Sequence, residues 1–255
     1  MVIGTPSFVN EGECMANFFV DKDAFANDPI VIAGEEANHI IKVLRMGIGE
    51  SITVFDGDGN CADAVIEFVD QKTVFAKVLK RYPSESEPEL KITLFQGIPK
   101  NPKMDLIIQK ATELGVTKIV PVNTKRIVAK IDKDAKIERF RRIAFEAAKQ
   151  CGRAYIPKVE NPISFKEAVA MMDEYDRAII PYECEKEGKL ACALDTDVSS
   201  LAIFIGPEGG FDKSEIEMAV NAKVKPVTLG KRILRTETAG LIASALCLYI
   251  KGDMD

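Results

Sequence analysis

Apolar and polar positions change rhythm once along this chain. Up to about residue 80 the apolar positions fall in short runs. Ser51-Ile52-Thr53-Val54-Phe55, residues 61–69 and Thr73-Val74-Phe75-Ala76-Lys77-Val78-Leu79 read as strands of a small β-rich unit. Asp56-Gly57-Asp58-Gly59-Asn60, between the first two, is rich in residues that tolerate positive φ and predicts a hairpin turn. The pattern over 36–46 predicts a single short helix ended by Gly47. Residues 81–89 carry two prolines and no apolar period, which predicts a linker. From residue 90 onward, strands at 91–95, 118–122, 178–181, 201–205 and 226–229 alternate with helices. Asn101-Pro102 opens the first of these helices, whose stripe is Met104, Ile107, Ile108, Ala111 and Leu114, with Gly115 as its stop. Residues 134–151 form a long helix stopped by Gly152, and Ser164-Phe165-Lys166-Glu167 and Asp212-Lys213-Ser214-Glu215 are capping boxes. Thr236 is expected to cap a final helix over 237–251. Such alternation predicts an α/β fold with a mostly parallel sheet covered by helices.

Two loops concentrate the chemistry. Gly206-Pro207-Glu208-Gly209-Gly210-Phe211 follows one apolar run, and Leu229-Gly230-Lys231-Arg232-Ile233-Leu234-Arg235-Thr236-Glu237-Thr238-Ala239 follows another. Glycines allow close backbone approach, helix N-termini present free N–H groups, and α/β sheets bind ligands at the carboxyl ends of their strands. Both loops therefore predict a small-molecule site. The first matches neither the G-x-G-x-x-G fingerprint nor a Walker loop, so by itself it reads more readily as a tight strand-to-helix turn than as a ligand loop. Cations and a carboxylate at the entrance of an almost uncharged helix tip the reading toward a ligand, although Glu237 also suits a helix dipole.

Composition adds limits. Apolar content is 47% and charged content 29%, with no run long enough to span a membrane and no signal segment at the start. The six cysteines form no C-x-x-C pair and read as free thiols of a cytoplasmic protein. A lone histidine, His39, leaves no His-rich metal centre. Net charge is −5, yet residues 125–153 hold ten Lys or Arg against four acids, so this segment carries +6 and the remainder −11. A basic island on an acidic protein reads either as a solvated helix face or as a local phosphate-binding surface. His39, Lys42 and Arg45, at i, i+3, i+6, form a second basic patch on one helical face, either solvated or facing RNA.

These segments together resemble a known family, the RsmE-type 16S rRNA (uracil-N3)-methyltransferases of the SPOUT superfamily. The resemblance runs through Ala16-Asn17-Phe18-Phe19-Val20, His39-Ile40-Ile41-Lys42-Val43-Leu44-Arg45, the stretches 104–116 and 146–153, and both C-terminal loops, in the family's order. Residues 1–14 stand outside it as an extension. Asn17 replaces an arginine often found there, removing the charge an RNA contact at that position would use.

The resemblance implies an N-terminal PUA-like β-barrel domain over 15–80, the linker at 81–89, and a SPOUT domain over 90–255 that carries a deep trefoil knot. It implies S-adenosyl-L-methionine as cofactor and no metal. By position, the cofactor cradle is Ile180, Pro181, Gly206, Pro207, Glu208, Gly209, Gly210, Leu229, Gly230, Ile233, Leu234, Arg235 and Thr236. For catalysis it implies Arg235 beside the anion that develops on uracil, with Glu208 or Glu237 as proton acceptor. RNA contacts are expected from His39, Lys42, Arg45, Lys125, Arg126, Arg142 and Arg153, with affinity that falls steeply with salt. The implied partners are 16S rRNA of the small ribosomal subunit and a second copy of the chain, joined through Leu241, Ile242, Leu246 and Tyr249. Three rivals use the same residues. One is a SPOUT enzyme acting on tRNA or a ribose 2′-hydroxyl, which the 232–239 run disfavours. Another is a non-catalytic RNA-binding assembly factor, disfavoured by the retained glycines and Glu237. The third, a nucleotide-phosphate enzyme, lacks a phosphate-loop pattern.

Overall fold

The computed structural model describes residues 15–100, 102–127, 134–194 and 197–254. The expected extension at 1–14, the cap at Asn101 and two cations of the basic island, Lys130 and Lys133, lie outside the described residues. The chain divides into two units, Met1–Pro83 and Ser84–Asp255.

In the first unit, strand β1 (Ala16–Phe19) leads to helix α1 (Lys22–Ala26), strand β2 (Ile30–Ala33) and helix α2 (Gly34–Asn38). A π-helical stretch over His39–Leu44 follows, then β3 (Ser51–Phe55), β4 (Asn60–Val69) and β5 (Thr73–Pro83). The strands form one sheet in the order β1-β3-β4-β5-β2, with β1 parallel to β3 and the other pairs antiparallel. Their inward residues, among them Phe18, Ile30, Ile32, Ile52, Val54, Ile66 and Val74, build a separate core with Ile40. In the 56–60 turn the Asp56 carboxylate accepts from the backbone N–H groups of Asp58 and Asn60, and Gly57 and Gly59 take positive φ.

Two expectations need correction here. The helix predicted over 36–46 changes winding at His39 and ends not at Gly47 but at Arg45, which adopts the left-handed conformation at φ 56°. The i→i+5 ladder of a π-helix abandons the α-helical period. His39, Lys42 and Arg45 therefore do not share one helical face. The predicted linker begins later than 81, because Arg81, Tyr82 and Pro83 complete β5. Arg81 Nη2 donates to the carbonyls of Phe25 and Asn27, at 3.0 and 2.7 Å.

In the second unit the elements are β6 (Lys91–Gly97), α3 (Lys103–Glu113), β7 (Lys118–Asn123), α4 (Asp134–Cys151), β8 (Lys158–Val159) and β9 (Ile163–Ser164). After them come α5 (Phe165–Ala170), β10 (Arg177–Pro181), β11 (Ser200–Ile205), α6 (Lys213–Asn221), β12 (Lys225–Val227) and α7 (Thr236–Lys251). Every pairing in this sheet is parallel, in the order β12-β10-β11-β6-β7-β8, with β9 also on β7. Parallel strands need both faces covered, which explains their continuous apolar runs. Ile92 and Leu94 of β6 and Leu201, Ile203 and Ile205 of β11 share one core with Ile107, Ile108, Phe140 and Leu248 from α3, α4 and α7. On the other face Phe95 and Phe204 stack at 4.7 Å and pack with Phe165, Phe211 and Ile216.

Both capping boxes form as the residues require, Ser164 with Glu167 and Asp212 with Glu215. Thr236 does not cap α7. Arg235 occupies the cap position and Thr236 is already helical, with its hydroxyl turned to other strands. Along α7, Leu241 packs against the core, while Ile242, Leu246 and Tyr249 remain exposed. Cys61, Cys151, Cys184, Cys192 and Cys247 are unbridged, and no helix among the described residues is long and apolar enough to cross a membrane.

Candidate active site

Four neighbouring parallel strands, β12, β10, β11 and β6, deliver their carboxyl ends to one edge of the sheet, and the segments that leave them meet there. The ends are crowded. A Cβ added to Gly97 at the close of β6 would lie 2.7 Å from the Pro207 nitrogen and 2.9 Å from the Ile205 carbonyl oxygen. Gly97→Ala therefore pushes the 206–211 loop away from its place. We expect a destabilisation of about 1–3 kcal/mol with weakened cofactor binding; urea unfolding and calorimetry check it, and wild-type behaviour contradicts it. Gly210 has φ +65°, which closes that loop so tightly that a Cβ on Gly206 would lie 3.2 Å from the Gly210 main chain.

The loops enclose a cavity of about 470 Å³, within the usual range for small-molecule sites. Of the predicted cradle, Pro181, Gly206, Pro207, Glu208, Gly209, Gly210, Ile233, Leu234, Arg235 and Thr236 line it. Leu229 and Gly230 line a smaller adjoining cavity of about 90 Å³, which shares Pro181, Ile233, Leu234 and Ala239 with the first. Ile180 lines neither; its side chain is fully buried in the core with Phe204, so its expected cofactor contact is not made by the side chain. Backbone from two glycine-bearing loops, set between the apolar walls of Ile205, Leu234 and Ala239, suits a ligand with an aromatic base and polar edges. Ile233 is 84% exposed, an unusual place for an isoleucine that a bound ligand or partner would cover.

Charge at this edge is organised by a residue not foreseen in the sequence. Lys103, the first residue of α3, holds Glu208 Oε1 at 3.2 Å and Glu237 Oε2 at 3.1 Å. Glu208 also accepts from the Lys100 backbone N–H at 3.1 Å. Hydrogen bonding to Glu237, then to Glu208, raises the Lys103 pKa. Burial pushes both carboxylates upward, but backbone N–H donors and Lys103 outweigh it and hold them below the ordinary glutamate range. A carboxylate stabilised as its anion is a poor proton acceptor. Glu208 and Glu237 stand as paired anions in the cavity wall. Beside them, Thr236 Oγ1 donates to the Gly206 carbonyl at 2.6 Å and accepts from the buried Gln96 Nε2 at 2.9 Å, tying α7 to β11 and β6. Arg235 differs from its neighbours. It is exposed on the cavity rim, and among the described residues its guanidinium makes no ion pair.

The expected RNA contacts divide. Lys125 and Arg126 lie against the cofactor loop. Arg126 donates to the Gly209 carbonyl at 3.1 Å and reaches Asp212 at 3.4 Å, while Lys125 Nζ donates to Ser214 Oγ at 2.6 Å. Both side chains stay about half exposed. Ser214 donors, through side chain and backbone, draw the Asp212 pKa down to about 2. Arg142 is exposed on α4. Arg153 is only 4% exposed, and its guanidinium is held inside the protein by Glu87 and two carbonyls. In the first unit, Lys42 and Arg45 are exposed, and the His39 ring rests edge-on against Phe18 at 6.0 Å.

Ile205, Phe211 and Ala239 also line the cavity, and Lys103 and Glu183, which were not anticipated, complete it. Lys103 did leave a signal. A cation in the first turn of a helix opposes the dipole, so its presence there asks for a carboxylate partner.

Comparison with known proteins agrees with this geometry. Residues 86–248 match the model of an RNA methyltransferase domain, and residues 32–79 that of an RNA methyltransferase PUA domain. The ribosomal RNA small subunit methyltransferase E of Bacillus subtilis is 36% identical over 87% of this chain and 92% of its own. That of Buchnera aphidicola is 31% identical over 92% and 93%. The crystal structure of the Neisseria gonorrhoeae methyltransferase E bound to S-adenosyl methionine superposes with a TM-score of 0.80 at 33% identity, covering 91% of this chain and 96% of that one. By these matches, which extend over both units, the chain belongs to the ribosomal RNA small subunit methyltransferase E family.

Proposed function

We propose that this protein transfers the methyl group of S-adenosyl-L-methionine to N3 of a uridine in 16S rRNA of the small ribosomal subunit. The observation that carries the reading is the cavity itself. Two glycine loops present main-chain groups between apolar walls, and Arg235, which makes no ion pair among the described residues, stands at the rim. Bound there, the cofactor supplies an electrophilic methyl group. The protein has two further tasks. Uracil N3 carries its proton at neutral pH and must pass it to solvent water to become nucleophilic, which spreads negative charge onto the flanking carbonyl oxygens. Arg235, charged at any working pH, stabilises that charge where it develops. The loops hold the reacting atoms in line, which is worth several kcal/mol.

RNA is held on both units, by Lys42, Arg45 and His39 in the first and, in the second, by Lys125 and Arg126 against the cofactor loop and by Arg142 on α4. The strand order, with β11 inserted between β10 and β6, supports reading the 206–211 and 229–235 loops as the crossings of a trefoil knot. The exposed Ile242, Leu246 and Tyr249 of α7 are an apolar face that suits a second copy of the chain, and a ribosomal substrate fits a cytoplasmic protein. Incubation of small-subunit rRNA, free and as assembled subunits, with methyl-labelled cofactor tests the proposal. Label on the RNA is expected. Tight cofactor binding with no label on either substrate overturns it.

A further inference from the structure

Glu208 and Glu237 come from different parts of the chain, the β11–α6 loop and the second position of α7, yet both point at one ammonium. Two oxygens 3.2 and 3.1 Å from the same nitrogen are at most about 6 Å apart, within the range where like charges disfavour each other strongly. Lys103, Glu208 and Glu237 are all largely shielded, with side chains 27%, 27% and 16% exposed, so solvent relieves little of that repulsion. Lys103 and Glu208 line the cofactor cavity directly, and Glu237 adjoins Thr236, which does so too. The geometry asks for a cation at this point and Lys103 is the one supplied.

We propose that Lys103 is a positioning residue of the cofactor site: its charge allows Glu208 and Glu237 to share one wall, and the cavity keeps its binding shape only while that charge is there. The inference rests on reading this cavity as the cofactor site. Lys103 acts through the two loops rather than on the transferred methyl. Other charges face the cluster from each side. Arg235 acts on Glu237 from the start of α7, Glu183 lines the cavity after β10, and Asp105 on α3 is already paired with Arg139 of α4. Arginines do not titrate in the working range, and Glu183 is present in every variant, so comparison with the wild type at each pH isolates the pair.

The test is calorimetric binding of S-adenosylhomocysteine to wild type, K103M, K103R and K103M/E237Q, from about pH 8 to about pH 5.5, with thermal melting to establish that each variant folds. In the wild type both carboxylates are held as anions by Lys103 and need no proton. In K103M each anion opposes the other, one of them has a raised pKa, and a falling pH protonates it and removes the repulsion. K103M is therefore expected to bind roughly tenfold or more weakly than wild type at about pH 8, and the ratio is expected to close as pH falls. K103R keeps the charge, and K103M/E237Q removes one carboxylate with the cation, so both are expected to bind within a few-fold of wild type. Three results overturn the proposal: K103M binding like the wild type, a K103M defect that persists at low pH, or K103M/E237Q binding much more weakly than wild type. The last applies even if K103M alone fails to fold. Failure of the wild type itself to bind S-adenosylhomocysteine refutes the reading of the cavity instead.

Discussion

Arg235→Ala is expected to lower turnover by roughly a hundred- to a thousandfold while cofactor affinity stays within a few-fold of wild type. The separation follows from where the residue stands. Its backbone starts α7, with its carbonyl accepting from the Thr238 and Ala239 N–H groups, and alanine at this position keeps those bonds. Its side chain is exposed at the cavity rim with no ion pair among the described residues, so truncation orphans no buried partner. What alanine removes is a positive charge at the place where a uracil anion would form. Lysine should restore only part of the rate, since a point charge cannot repeat the planar fork of a guanidinium. Single-turnover methyl transfer, paired with calorimetric cofactor binding, measures both terms. Equal losses in the two would make Arg235 a cofactor ligand, and unchanged turnover would remove it from the chemistry.

Arg153→Ala should act entirely on stability, with a cost of about 3–5 kcal/mol. Arg153 Nη1 donates to the carbonyls of Thr112 and Val116 at 2.7 and 2.9 Å, where α3 ends and β7 begins. Nη2 and Nε reach Glu87 Oε2 at 2.7 and 3.1 Å, and the other Glu87 oxygen accepts from the Tyr155 N–H at 3.1 Å. Both side chains are buried, at 5% and 10% exposure. Removing the arginine leaves the shielded Glu87 carboxylate without its counter-charge and takes a hydrogen bond from each of two carbonyls. Lysine cannot span four acceptors in one plane and should rescue little. Urea unfolding reads the loss. A drop of under about 1 kcal/mol, accompanied by weaker RNA binding, would return Arg153 to the RNA surface where its sequence context had placed it.

That residue shows where sequence legibility ends. Arg153 closes a run of ten cations, and charge counting alone assigns it with the rest; its burial depends on Glu87, which is 66 positions away. The alternation of β6, α3, β7, β10, β11 and α6 was readable because a sheet covered on both faces needs unbroken apolar runs. The capping boxes at Ser164 and Asp212 were readable because their partners are three residues apart. Strand order was not, since parallel neighbours such as β11 and β6 meet across more than a hundred residues with no turn to link them. Nor were β8 and β9, each only two residues long and held by their place beside β7. Thr236 has a good capping side chain, but a long-range bond to the Gly206 carbonyl at 2.6 Å took precedence over the local one. The glycine loops were legible as a site; the lysine that holds their carboxylates was not, because its partners lie on other elements.

The proposed reaction is methyl transfer to uracil N3 of small-subunit rRNA. Mass-spectrometric nucleoside analysis tests it most directly, using small-subunit RNA from cells that lack the modification, incubated with the protein and S-adenosylmethionine. 3-Methyluridine is expected, absent without cofactor and lost with Arg235→Ala. A different methylated nucleoside, or none from either free RNA or intact subunits while the cofactor binds, would contradict it.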